Sequence, residues 1–102
     1  MMKLLDTLPK GYVTETLGKQ LLRSATSVGA NVAEAQSASS RRDFINGYTH
    51  ALKSANESKF WLGLLKDSGR ASAEPVDGLL QESREISNIL AASILTLKGK
   101  RS

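Results

Sequence analysis

The sequence predicts an all-α protein built as a bundle of long helices. Three observations carry that expectation. Apolar residues recur every three or four positions over three long stretches, nothing alternates with period two, and short polar segments containing Ser, Pro or Gly separate the stretches. At 102 residues the chain forms one domain, 1–102, long enough to bury roughly two thirds of its unfolded surface.

The first element, residues 1–8, is brief: Leu4, Leu5 and Leu8 make one apolar turn that Pro9 and Gly11 stop. A long helix then covers 13–35, with Leu17, Leu21, Ala25, Val28, Val32 and Ala35 as its buried seam. Turned about 110° around that helix is a second stripe, Gln20, Arg23, Ser24, Ser27, Asn31 and Glu34. Its groups are short or bidentate, unlike the Lys/Glu mixture of a wet surface. Asn31 and Glu34 could bind a base edge. Between packed helices, however, Arg23, Ser27, Asn31 and Glu34 are expected to form a packing network. Gly18 and Gly29 inside this helix are read as points of close backbone approach.

The next helix covers 41–67. Ser40 serves as its N-cap and Asp43, three residues on, puts an acid in the first turn. Phe44, Ile45, Tyr48, Leu52, Ala55 and Leu62 form its inner face, while Asn46, His50, Lys53, Glu57, Trp61 and Leu64 recur on roughly the opposite side. Lys53 and Glu57 stand as an i, i+4 pair, and Gly47 costs the helix up to about 1 kcal/mol relative to Ala. Near the end almost no polar side is left. Phe60, Trp61, Leu64 and Leu65 are therefore assigned to an oligomer interface, with Trp61 as an anchor rather than a stacking platform for bases.

Gly69 suits a helix C-terminus and Pro75 the first turn of a last helix, 75–98, with a seam of Val76, Leu79, Leu80, Ser83, Ile86, Leu90, Ile94 and Leu97. Gly99 closes it, and Lys100, Arg101 and Ser102 form a tail.

Function classes narrow by exclusion. Without cysteine there is neither a disulfide framework nor a thiolate metal site, and no run of about 18 apolar residues or secretory leader is present, so a cytoplasmic protein is expected. His50 is the single histidine, too few ligands for a metal centre, and Glu82 and Glu85 are exposed-type helix residues. No phosphate loop or nucleophile elbow occurs. No catalytic residue, metal, cofactor or small-molecule substrate is expected. Fourteen Lys and Arg oppose ten acidic residues, a net charge of +4, which admits an anionic partner. Arg41, Arg42, Lys53, Lys98, Lys100 and Arg101 are the candidate phosphate contacts for RNA or DNA. The alternative is a structural or regulatory scaffold that binds another protein.

The runs QLLRSATSVGANVAEAQSASSRRDFINGY and ALKSANESKFWLGLLKDSG resemble the bacterial four-helix-bundle proteins encoded by intervening sequences in 23S ribosomal RNA genes. The specific parts are Arg23-Ser24-Ala25, the segment 27–34, Ser40-x-x-Asp43-Phe44, and the segment 51–62. The resemblance implies an antiparallel up-and-down bundle of the four-helix type, a ring-shaped homopentamer and a nucleic-acid role. A distant branch, the accessory variability protein of diversity-generating retroelements, is similar in shape and assists a reverse transcriptase, which makes such an enzyme a further implied partner. Relatives carry a full first helix, of which only residues 1–8 correspond here. Three long helices leave an apolar groove open, so either the native start lies upstream or another chain fills the groove. Ser54 and Asn56 also replace charges common in relatives.

Overall fold

The computed structural model describes residues 1–99 and shows four helices and no strand among them: α1 (Met2–Asp6), α2 (Tyr12–Gln36), α3 (Arg41–Asp67) and α4 (Ala73–Leu97). Lys100 and Arg101, two of the candidate phosphate contacts, lie outside the described residues.

Local chemistry explains the boundaries. After α1, Thr7 folds its hydroxyl onto the Leu4 carbonyl (2.7 Å), and Gly11, at φ 148°, takes a conformation that a side chain would resist as the chain reverses into α2. Ser40 caps α3 by accepting the Asp43 amide at 3.1 Å. Its other end is a Schellman motif. Gly69 adopts φ 75°, its amide reaches the Lys66 carbonyl (3.0 Å), and the Arg70 amide reaches that of Leu65 (2.9 Å). Pro75 sits in the first turn of α4, where it sacrifices no helical hydrogen bond.

The helices pack as a bundle in which α2 and α4 both run along α3, while α1 covers α2 at one end. Leu4, Leu21, Leu62, Leu65 and Val76 form the core there, joined by Leu5, Leu8, Leu17, Trp61 and Leu79. Farther along, Ala35, Ala51, Ala55, Leu90 and Ile94 are buried, and Ser24 and Ser58 share a buried hydrogen bond of 2.9 Å between α2 and α3. The result is long and thin, 48 × 22 × 17 Å, with a radius of gyration of 15.2 Å. A compact chain of this length would give about 13 Å.

Several expectations need correction. Leu65 is fully buried in the core and cannot be an interface residue, because its arc of α3 faces α1 and α4. Trp61 is half-buried against the same cluster, whereas Phe60 (59% exposed) and Leu64 do face outward. Gly29 approaches nothing within 4 Å, since no helix covers that side of α2, while Gly18 lies against Leu5 and Leu8 and the close helix contact falls at Gly47.

Candidate nucleic-acid interface

The turn joining α2 to α3 brings residues 38–41 beside Leu97, so the start of α3 and the last turn of α4 meet at one end of the bundle. A shallow recess of about 270 Å³ lies between them, lined by Ala38, Ser39, Ser40, Arg41, Phe44 and Leu97. Arg41 and Arg42 begin α3, Lys98 caps α4, and all three are exposed with no side-chain bond among the described residues. Two influences of opposite sign act there. The N-terminus of α3 adds a partial positive charge to the two arginines, and Lys98 offsets the negative C-terminal end of α4. Exposed guanidinium groups that no carboxylate engages are free to pair with phosphate in a bidentate manner. Asp43 is the one acid in that first turn. Lys53 does not join the group: it lies about 18 Å farther along α3 on an outward arc.

The stripe on α2 behaves differently from the network that spacing suggests. Ser27 donates to the Arg23 carbonyl (2.8 Å) and Asn31 to the Ser27 carbonyl (2.8 Å), both within their own helix, and Glu34 is exposed without a side-chain bond among the described residues. Short polar side chains find a carbonyl one turn back before they reach a neighbouring helix. Only Arg23 crosses. It donates to Gln20 through Nε (3.0 Å) and Nη2 (2.9 Å) and forms an ion pair with Glu57 of α3. Trp61 Nε1 donates to the same Glu57 carboxylate at 2.9 Å. Glu57 is therefore partnered by Trp61 and Arg23, not by Lys53. The Trp61 hydrogen bond, then that of Arg23, holds its pKa below the ordinary glutamate value. Sequence reasoning missed this cluster, although Gln20 with Arg23 and Glu57 with Trp61 stand at helical spacing on stripes that periodicity picks out.

His50 is exposed, and no group of three His, Asp or Glu that could hold a metal ion occurs among the described residues. No described helix is long and apolar enough to cross a membrane.

A family model described as 23S rRNA-intervening sequence protein matches residues 1–92. No curated protein matches the chain. Among solved structures, the chain is similar to a protein of unknown function from the S23 ribosomal protein family of Bacteroides thetaiotaomicron VPI-5482. The two are 45% identical and superpose with a TM-score of 0.75, covering 76% of this chain and 70% of that one.

Proposed function

Because the chain belongs to the 23S rRNA-intervening sequence protein family, we propose that it is a non-enzymatic, multi-copy helical-bundle protein that binds RNA or DNA through its basic end. The observation that carries this reading is that Arg41 and Arg42 at the start of α3 and Lys98 at the close of α4, all exposed and without a carboxylate partner among the described residues, stand at the same end of the bundle. Such groups contact the phosphate backbone, which repeats regardless of base, and no element here presents a groove-reading motif. Binding is therefore expected to be insensitive to sequence. Several copies multiply a net charge of +4 and raise avidity without any new contact.

Electrophoretic retardation of mixed-sequence RNA and DNA tests the reading at micromolar protein in about 50 to 100 mM salt, where non-specific binders of about 10⁻⁶ M register. Wild-type protein should retard both, Arg41→Ala/Arg42→Ala should retard neither at the same concentration, and Lys53→Ala should behave as wild type. No retardation by wild-type protein would leave the scaffold reading, for which the outward Phe60 and Leu64 offer a surface.

A further inference from the structure

We propose that the first turns of α2, with the loop before them, form a binding site for a small amphiphilic carboxylate, a single anionic group on an apolar chain. The site lies at the opposite end of α2 from Arg41 and Arg42 and does not depend on the phosphate contacts proposed above. A pocket of about 340 Å³ opens between α1 and α2, within the size range of small-molecule sites. Along α2 it extends from Thr14 to Leu22, about 12 Å. Leu5, Leu8, Pro9 and Leu22 give it apolar walls. Gly18 adds no side chain to it: a Cβ there would stand 3.5 Å from Leu8 Cδ1 and 3.6 Å from Leu5 Cδ2.

The polar groups gather at one end. Thr14 lines the pocket, is only 5% exposed, and its hydroxyl makes no hydrogen bond with any described residue. Ser24, Ser58 and Ser87, the other buried hydroxyls among the described residues, each have a partner. A buried hydroxyl left alone is costly, so a partner from outside the chain is favoured at Thr14. The helix start beside it is equally short of acceptors. Gly11 caps α2 without a side chain, and the first helical bond runs from the Glu15 amide to the Gly11 carbonyl (2.9 Å), which leaves the amides of residues 12–14 without an acceptor among the described residues. These donors, the positive end of the α2 dipole and the Lys10 ammonium all favour an anion at this end.

The charges select the anion. Glu15 is the one acid lining the pocket, and Lys19 stands four residues on, in the order that offsets it best. Lys10 is left uncompensated, a single positive charge that matches a carboxylate rather than a phosphate dianion. No aromatic ring lines the pocket, so a nucleobase has nothing to stack on, whereas an alkyl chain can lie along Leu8, Leu5 and Leu22 past Gly18.

Isothermal titration calorimetry of the full chain with sodium decanoate, below its micelle concentration, tests the site against decan-1-ol as the uncharged control. Wild-type protein should bind decanoate at least about tenfold more tightly than decan-1-ol. Thr14→Val removes the hydroxyl at similar size and should weaken decanoate about tenfold, while the ligand-free melting temperature stays level or rises. A hydroxyl that served only the fold would lower that temperature instead. Lys10→Gln should weaken decanoate about threefold and leave decan-1-ol unchanged. Arg41→Ala/Arg42→Ala should bind decanoate as wild type does. The proposal is overturned if wild-type protein does not bind decanoate, if decan-1-ol binds equally well, or if Thr14→Val and Lys10→Gln bind decanoate as wild type does.

Discussion

Gly47 shows how one missing methyl sets the distance between two helices. A Cβ built there would lie 2.6 Å from the Ala35 Cβ and 3.2 Å from the Asn31 carbonyl oxygen, so α2 and α3 must part to admit it. Gly47→Ala gains about 1 kcal/mol of helix propensity, but overpacking against backbone costs about 1 to 3 kcal/mol and should prevail. Urea unfolding should show a net loss. Gly78→Ala, where nothing lies within 4 Å, should instead stabilise by about 0.5 to 1 kcal/mol. Glu57 carries the pH dependence expected at this scale. Its folded-state pKa is lowered by Trp61 and Arg23, so its contribution is complete above the ordinary glutamate value and disappears as pH falls through the lowered one. Glu57→Gln should therefore lower the melting temperature at neutral pH and flatten its decline on acidification. Thermal melts from pH 7 to about pH 3 read both effects.

At the scale of the element, the two ends of α3 were legible because each is written in local chemistry: Ser40 with Asp43 at the start and Gly69 at the close. Ser40→Ala should cost about 1 kcal/mol in chemical denaturation. Which arc of α3 faces the core was less legible. Phe60, Trp61, Leu62, Leu64 and Leu65 cover most of the circumference, and periodicity cannot separate an arc facing a neighbour in the same chain from one facing another copy. Packing decides it: Leu65 turns inward against α1 and α4, and Phe60 turns out. Leu65→Ala should accordingly destabilise by about 2 to 5 kcal/mol. Phe60→Ala should stay within about 0.5 kcal/mol of wild type, the range of an ordinary surface substitution. The short polar stripe on α2 misled for a related reason. Spacing shows that Ser27 and Asn31 share a face, but their preference for carbonyls of their own helix is a matter of reach.

For the whole molecule, a helical bundle follows from the three apolar seams. The meeting of Arg41 with the end of α4 could not be read from those seams. It depends on α4 running antiparallel to α3 with nearly matched length, which brings residues more than fifty positions apart in sequence to one end. The proposed role makes this end a phosphate-binding surface. Its most direct measurement is the salt dependence of affinity for one duplex, compared between wild-type protein and Arg41→Ala/Arg42→Ala. The slope of log K against log salt should become shallower by about 0.9 for each phosphate that no longer meets a guanidinium, hence by about 1.8 for the pair. An unchanged slope and an unchanged affinity in the double variant would rule out that role for Arg41 and Arg42.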